Sequence, residues 1–421
     1  MRFLRRLFRT EHKPRFGALE ILKYIGPGFL VTVGFIDPGN WASNLVAGSD
    51  FGYRLLWMVT LSTLMLMLLQ HNVAHLGIVT GRCLSEGING HFRRPVAKAV
   101  LLSAVAAAVS TALAEVLGGA IGLWMLFHIP LRLGAALTVL FACWMLFSNS
   151  YRKLERWIIA FVSLIGLSFV FELVLVHMHW AQALVGWVMP STPPRSMPIV
   201  MSVLGAVVMP HNLFLHSEII QSRQWHLEDE QVIHKQLRYE FLDTLLSMCV
   251  GWAINSAMIL VAAGTFFFAH QHVSSLPQAQ LMLRPLLGSA AAAVFALALL
   301  FSGLSSSVTA GMAGGSIFAG MFGEPYDSKD GHTRWGILIT YVGALFLIFL
   351  VHDPLRGLLI SQMLLSIQLP WTIVTQISLT SSRKVMGRFA NTGVERLCLW
   401  VVAGVVVALN ALLLLSYLRA N

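Results

Sequence analysis

Long apolar runs recur from one end of this chain to the other, and they restrict its fold more than any other feature. Residues 157–176, 335–351 and 397–418 are examples, each close to the roughly 20 residues with which a helix crosses a bilayer core. Only 11% of the residues are charged, against roughly 25% in globular domains. A soluble fold is excluded, and we predict an all-α polytopic membrane protein.

Length and apolarity divide the chain into eleven predicted spans, numbered here from the amino terminus. They cover residues 26–48, 55–79, 98–126, 132–149, 157–177, 198–218, 243–269, 286–322, 335–351, 357–378 and 397–418. Most of the 29 Lys and Arg residues fall in the segments on one side. The positive-inside rule therefore predicts a cytoplasmic amino terminus and, with an odd number of spans, an outside carboxyl terminus. We expect a multi-pass protein of the cell inner (plasma) membrane.

This topology explains the excess of Lys and Arg residues in the chain. A net charge of +10 in a soluble protein would raise the question of a nucleic acid partner, but here we expect none. Residues 1–25 have no long apolar segment and no cleavage site, so they are interpreted as a retained cytoplasmic tail. The four cysteines lack any Cys-x-x-Cys spacing, so neither a disulfide framework nor a zinc site is indicated.

A short pattern occurs twice, once in span one and once in span six. The copies are Asp37-Pro38-Gly39-Asn40 and Met209-Pro210-His211-Asn212, and 172 residues separate both their prolines and their asparagines. Because the copies are five spans apart, they enter the membrane from opposite sides, as in an inverted repeat. We predict repeats at 26–180 and 195–378, followed by a loop and an eleventh helix at 379–421.

A mid-span proline removes a backbone donor and is expected to break or kink its helix. Backbone without partners is tolerated at membrane depth where it lines a cavity, so two such breaks predict a substrate site between them. Ordinary proline kinks are the alternative. Asp37 favours the site, because an acid at mid-span costs at least about 2.5–3.5 kcal/mol. No Lys or Arg lies at mid-depth, so its counter-charge is predicted to be a transported cation, a proton or both.

The atoms near the two breaks indicate which cation. Asp37 offers a carboxylate, Asn40 an amide oxygen, the backbone near Ala206 a carbonyl and Met209 a thioether. Oxygen ligands suit magnesium, calcium and manganese, whereas a soft sulfur favours transition metals. The mixed set predicts manganese, iron or a similar divalent metal as the substrate, with no resident cofactor. For Met209, ordinary core packing is the alternative.

These motifs resemble the paired signatures of the Nramp family, the proton-coupled divalent metal transporters that include bacterial manganese importers. The resemblance extends over essentially the whole chain. Further matching positions are Gly26-Pro27-Gly28-Phe29, Ala114-Glu115-Val116, His216-Ser217, Ser305-Ser306-Ser307-Val308-Thr309, Ser361-Gln362, Ser366-Ile367-Gln368-Leu369-Pro370 and Arg383-Lys384-Val385-Met386-Gly387.

The resemblance implies a LeuT-like fold of two inverted five-helix repeats, with broken helices one and six and an extra helix, which works by alternating access. It implies that the metal ligands are Asp37, Asn40, the Ala206 carbonyl and Met209, joined by Gln362 in the occluded state. His211, His216 and Glu115 are the implied proton path, with helix packing as the alternative for either histidine.

The chain departs from the family pattern where proton coupling is concerned. Many family members carry a second acid on span three, one turn before the glutamate matched by Glu115, and this chain has Ala112 there. Residues 98–114 contain no acid at all. We therefore expect metal transport with loosely coupled proton movement. Glu172, near the outer end of span five, is interpreted as interfacial and given no role.

Two other functions are weighed against metal transport. A sodium-coupled LeuT-like carrier of an organic substrate predicts free helix amides and small residues at both breaks rather than an acid opposite Met209. An intramembrane metalloenzyme predicts His-Glu-x-x-His, whereas His71 and His75 have the helical spacing without a glutamate after the first histidine. We expect a transporter, not an enzyme, which acts as a monomer in the lipid bilayer.

Overall fold

The computed structural model describes residues 36–148, 151–222, 230–271, 273 and 275–420, and within them every regular element is helical. The predicted tail at 1–25 and the first part of span one lie outside the described residues. The long helices are Pro38–Phe51, Leu56–Thr80, Arg94–Phe127, Leu131–Ser148, Tyr151–Leu175, Met197–Val207, Pro210–Ser222, Glu230–Ala262, Ser289–Gly320, Gly331–Leu350, Pro354–Thr380 and Gly393–Ala420. Shorter helices are Leu84–His91, Trp180–Val188, Leu276–Leu287 and Arg383–Met386.

Spans one and two form one uninterrupted apolar stretch in the structure. This stretch, Pro38–Thr80, has 43 residues and contains a 3₁₀ turn at Gly52–Leu55. A straight helix of that length would measure about 64 Å, roughly twice the thickness of a bilayer core, so the stretch supplies two crossings. The ten membrane-length segments found among the described residues therefore correspond to the eleven predicted spans.

Span seven differs from the prediction, whereas the division of span six agrees with it. Span six is divided into Met197–Val207 and Pro210–Ser222, as expected from Pro210. Span seven was predicted to begin at residue 243, but its helix begins at Glu230 and continues through a π-helical turn, Ala263–Phe267. The prediction was wrong because charged residues in 230–242 lower the hydropathy of a segment that is nevertheless helical and packed.

The helices form a buried centre and a lipid-facing periphery. In the most apolar stretch of span six 89% of residues are buried, against 33% in spans four, five and eleven. Spans three and eight approach closely, since a Cβ on Gly303 would lie 2.3 Å from the Gly119 amide nitrogen. Small residues allow such approach between membrane helices. Spans one and six pack against each other within this centre.

Candidate metal site between two broken helices

The first break is capped by its own acid. Asp37 is the N-cap of helix Pro38–Phe51, and its Oδ1 accepts hydrogen bonds from the Asn40 backbone amide at 2.6 Å and from Asn40 Nδ2 at 2.8 Å. Pro38 occupies the first helical turn, where its missing N–H costs nothing. The carboxylate thus sits at a helix amino terminus, which favours negative charge. Asp37 and Asn40 are both fully buried.

The second break leaves a carbonyl without its helical donor. Helix Met197–Val207 ends at Val208, which has φ −99° and ψ 78°. In an uninterrupted helix the Ala206 carbonyl would accept from residue 210, but that residue is Pro210 and has no N–H. Ala206 instead accepts a hydrogen bond of 2.8 Å from Asn40 Nδ2. One asparagine side chain therefore joins the two breaks.

Met209 lies between the two halves of span six and is fully buried. It packs with Ala107 of span three and Leu365 of span ten, and its sulfur accepts from Asn212 Nδ2 at 3.5 Å. No hydrogen bond connects it to the first break among the residues that the structure describes. The geometry places the thioether at the break, and its assignment as a ligand stays a prediction.

Gln362 of span ten lies against both breaks. A Cβ on Gly39 would be 1.7 Å from Gln362 Nε2, and a Cβ on Gly205 would be 1.8 Å from the Gln362 carbonyl oxygen. The side chain is therefore packed directly on the residue between Pro38 and Asn40. Only glycine at positions 39 and 205 permits this approach. The structure brings Gln362 to the place that the resemblance implied.

Several buried oxygen atoms at this place have no hydrogen-bond partner within the described part of the chain: Asp37 Oδ2, Asn40 Oδ1 and Gln362 Oε1. Leaving such an atom buried and unpaired costs about 1–3 kcal/mol, so an unexplained cluster of them needs a physical reason. Carboxylate and amide oxygens are ligands for divalent cations. Asp37, Asn40, Met209 and Gln362 all have 0% exposure, so this site is closed to solvent.

Glu115 lies beside the first break. Its carboxylate accepts a short hydrogen bond from Ser306, and the carboxyl groups of Glu115 and Asp37 lie close enough to share a hydrogen bond when one of them is protonated. Span eight also supports the break directly, because Ser302 Oγ donates to the Ile36 carbonyl at 2.5 Å. Ala112, where the family pattern has an acid, is fully buried.

The two predicted histidines occupy different surroundings on helix Pro210–Ser222. His211 is buried beside Met209, and its Nδ1 has no partner among the described residues. His216 contacts Gln70 through Nδ1, and its Nε2 lies 3.7 Å from Glu240 Oε1. The structure therefore places His211 at the break and His216 in a separate polar cluster.

Sequence reasoning missed several buried acids, among them Glu240 and Glu172. Glu240 was assigned to a loop because span seven was predicted to begin at residue 243, but Glu240 is buried inside that helix. Polar residues at helical spacing, Gln236, Glu240, Thr244 and Ser247, were the available signal. The interfacial interpretation of Glu172 was wrong, since it is fully buried, and its carboxylate oxygens lack partners among the described residues.

A second group of potential ligands lies away from the breaks. Glu324, Asp330 and His332, in and after the loop between spans eight and nine, have ligand atoms within 4.8 Å of one another. Asp330 caps helix Gly331–Leu350, and the hydrogen bond from the Thr333 amide contributes most to a pKa below the usual aspartate value. His332 Nδ1 lies 2.8 Å from Glu324 Oε2. These contacts form a partly exposed helix cap.

Comparison with known proteins agrees with this architecture. The family model described as "Natural resistance-associated macrophage protein-like" (Nramp) matches residues 28–416. The divalent metal cation transporter MntH of Caldanaerobacter subterraneus subsp. tengcongensis is 38% identical over 96% of this chain and 95% of its own length.

Two solved structures extend the comparison. The Eremococcus coleocola manganese transporter, in complex with an aromatic bis-isothiourea substituted compound, is 28% identical with a TM-score of 0.84, over 94% of this chain and 87% of that chain. Mhp1, a nucleobase-cation-symport-1 family transporter, is 13% identical with a TM-score of 0.62, over 93% of this chain and 92% of that one, and shares the LeuT-like fold. With its family model matching nearly from end to end, this chain belongs to the Nramp family.

Proposed function

We propose that this protein is a secondary transporter that imports a divalent transition metal, manganese or ferrous iron, by alternating access. The observation that carries the proposal is the asparagine link between the breaks. Asn40 binds Asp37 and Ala206 at once and leaves one oxygen of Asp37 and one of its own without a described partner. The relatives named as divalent metal and manganese transporters support the same substrate class.

The proposed ligands are Asp37, Asn40, the Ala206 carbonyl and Met209, with Gln362 completing the closed site. Metal arrival would require the Ala206 carbonyl to exchange its hydrogen bond to Asn40 for a bond to the cation. Because the carbonyl and the carboxylate belong to different breaks, closing the site and binding the metal would be coupled. Met209 supplies the soft ligand that disfavours calcium and magnesium.

The sodium-coupled carrier of an organic substrate is less well supported. That function requires free helix amides at the breaks for a substrate carboxylate. At the first break the Asn40 amide already donates to Asp37. An organic acid would therefore meet both an occupied amide and a buried negative charge.

Protons are proposed as the second substrate. A dication bound next to Asp37 repels a proton from the neighbouring groups, so metal binding would drive proton release. His211, His216 and Glu115 are the proposed participants, with loose coupling because Ala112 replaces an acid. We further propose a monomer in the inner (plasma) membrane, with a cytoplasmic amino terminus and an outside carboxyl terminus, and repeats at 26–180 and 195–378.

Uptake into proteoliposomes tests the proposal. Purified protein is reconstituted, Mn²⁺ is added outside, and internal metal and internal pH are recorded together. We expect Mn²⁺ accumulation that excess Ca²⁺ or Mg²⁺ does not suppress. Absence of metal uptake by a correctly inserted protein, or equal uptake of Ca²⁺, would overturn it.

A further inference from the structure

Three ionisable side chains form a polar connection away from the metal site, with a hydrogen bond at one end and a separation wider than a hydrogen bond at the other. His216 of span six faces Glu240 of span seven, with 3.7 Å between Nε2 and Oε1. On its other side, Glu240 Oε2 lies 2.5 Å from Nδ1 of His71 in span two. The three residues come from three different spans, so the connection exists only in the folded protein.

The contacts of His216 define where its proton resides. Nδ1 contacts the side-chain oxygen of Gln70, an acceptor, so the hydrogen of the neutral ring belongs on Nδ1. Nε2 is then the basic nitrogen, and it faces a carboxylate oxygen. A lone pair opposite a carboxylate is unfavourable unless a proton lies between them. His216 and Glu240 therefore form a pair with room for one additional proton.

Glu240 is held so that both of its oxygens are in use. Thr244 Oγ1 donates to Oε1 at 2.6 Å, and the His71 ring faces Oε2. The side chain of Glu240 is 1% exposed, that of His216 is 0% exposed and that of His71 is 32% exposed. The connection therefore runs from a closed interior to an accessible ring.

The accessible end lies at the face of the molecule that carries the loop between spans ten and eleven. Asn72, the next residue after His71, donates to Asn391 of that loop at 2.9 Å. The same loop contains basic residues and was predicted to be cytoplasmic by the positive-inside rule.

Other titratable groups face this connection from the surrounding elements. His75 on span two and Glu395 at the start of span eleven are within electrostatic reach of His71, and His234 on span seven is within reach of His75. Glu395 is exposed and lies at the loop-bearing face, where a negative charge favours arrival of a proton at His71. Span three has no acid in residues 98–114 with which to offer a parallel route.

We infer that His216, Glu240 and His71 form a proton exit from the buried helix Pro210–Ser222, which begins at the second break, to the cytoplasmic face. A proton on His216 Nε2 passes to Glu240 Oε1 when the 3.7 Å between these atoms closes to hydrogen-bond distance, and the carboxylate becomes a carboxylic acid. Rotation of the carboxyl group then turns this proton toward His71. The His71 ring, with its hydrogen on Nε2, accepts the proton at Nδ1 and releases the Nε2 hydrogen to water, which restores the carboxylate and a neutral ring. Exchange of the ring hydrogen with water returns His71 to its starting tautomer. Histidine is suited to both steps because its ordinary pKa lies near neutrality.

This inference rests on the proposed function, and simultaneous recording of metal and pH separates the two. Glu240→Gln keeps the shape of the side chain but removes its ability to carry a proton, and His71→Gln removes the exit ring. Glu230→Gln is the matched control, because it makes the same change on the same helix at a partly exposed residue paired with Arg388.

We expect proton entry per Mn²⁺ to fall about tenfold or more in Glu240→Gln and His71→Gln, the scale of losing one positioned acid or base. Mn²⁺ uptake should stay within about twofold, since neither residue is a proposed ligand. Glu230→Gln should change neither quantity, and Glu240→Asp should restore part of the proton flux.

Three results would overturn the inference. The first is an unchanged proton-to-metal ratio in Glu240→Gln. The second is equal loss of metal and proton movement in both variants when each still binds Mn²⁺ in detergent, which would show a structural role. The third is metal uptake by wild type without any proton movement. Failure of wild type to take up any metal would instead contradict the proposed function, and the inferred proton exit would be rejected together with it.

Discussion

The break in span one is capped by a side chain at its own helix end, Asp37. The break in span six differs, because Pro210 lacks the amide that would pair with the Ala206 carbonyl. Asp37 caps the first break, so the Asn40 backbone amide is satisfied and a carboxylate lies at the break. In span six, the Ala206 carbonyl accepts its hydrogen bond from the Asn40 side chain, which belongs to the other break.

The difference between the breaks separates two properties of the site. In the proposed site, span one would supply the charge that attracts a cation, and span six would supply a neutral carbonyl and a soft sulfur that select among cations. Neither break alone contributes all of the proposed ligands. Changes at the first break should therefore affect transport of every cation, and changes at Met209 should affect which cations are carried.

The largest effect is expected from removal of the charge. Asp37→Asn should lower Mn²⁺ uptake by about 100-fold or more. Mutating a residue that only orients a metal ligand lowers metal affinity or activity about 10–100-fold, and this substitution removes a proposed ligand itself. Insertion should be intact, since the substitution removes an acid from mid-span. The measurement is initial uptake into proteoliposomes.

Asp353 offers a matched control for this substitution. It also precedes a proline and caps a helix, accepting from the amides of Leu355 at 3.1 Å and Arg356 at 3.3 Å. Its side chain is 49% exposed, at the beginning of span ten. Asp353→Asn should leave uptake within about twofold. Similar losses in both variants would show that capping, rather than charge at mid-span, explains the result.

The next largest effect is expected at Gly39, where Gln362 lies against the first break. A methyl group there would overlap Gln362 Nε2, and overpacking of this kind costs about 1–3 kcal/mol. We expect Gly39→Ala to lower Mn²⁺ uptake about tenfold by displacing Gln362. Gly404→Ala on span eleven, where a Cβ meets nothing within 4 Å, is the control. Normal uptake by Gly39→Ala would show that Gln362 does not contribute to the site.

A change in selectivity is expected at the second break. Met209→Ala leaves oxygen ligands that water can complete, so Ca²⁺ should compete with Mn²⁺, and Cd²⁺ uptake should fall more than Mn²⁺ uptake, by about tenfold against a few-fold. Met248→Ala, at another fully buried methionine, should preserve Ca²⁺ exclusion. If Met209→Ala excludes Ca²⁺ as wild type does, Met209 serves only in packing.

The smallest effect concerns protons at the two breaks. We expect His211→Ala to lower the proton-to-metal ratio a few-fold, and more than Glu115→Gln does, because the histidine has the ordinary pKa nearer neutrality. Parallel recording of metal and pH on both variants provides the measurement. A ratio that survives His211→Ala but disappears in Glu115→Gln would place the proton path on span three.

Local features of the fold were predictable from the sequence because their causes are local. Hydropathy located the spans, and Pro210 located the division of span six, since a missing amide acts on its own helix. The buried state of Glu240 was not predicted, because a charged segment can be helical and buried when other helices cover it. Glu172 was misplaced because the hydropathy of span five does not show which of its faces the neighbouring helices cover.

The detailed contacts of the site depend on tertiary structure. The Asn40 to Ala206 hydrogen bond joins residues 166 positions apart, and no local pattern specifies it. Gln362 came from the family resemblance alone, and its contact with Gly39 appears only when span ten packs on span one. The sequence therefore provided the candidate residues of the site, and the fold specifies which of them meet.

The central claim is that one metal ion binds between the two breaks. Anomalous diffraction from crystals of the protein soaked with Mn²⁺ tests it most directly. The account predicts one strong peak about 2.0–2.6 Å from the oxygens of Asp37 and Asn40, with the Met209 sulfur beside it and the Ala206 carbonyl turned away from Asn40. A peak confined to Glu324, Asp330 and His332, with none at Asp37, would contradict it.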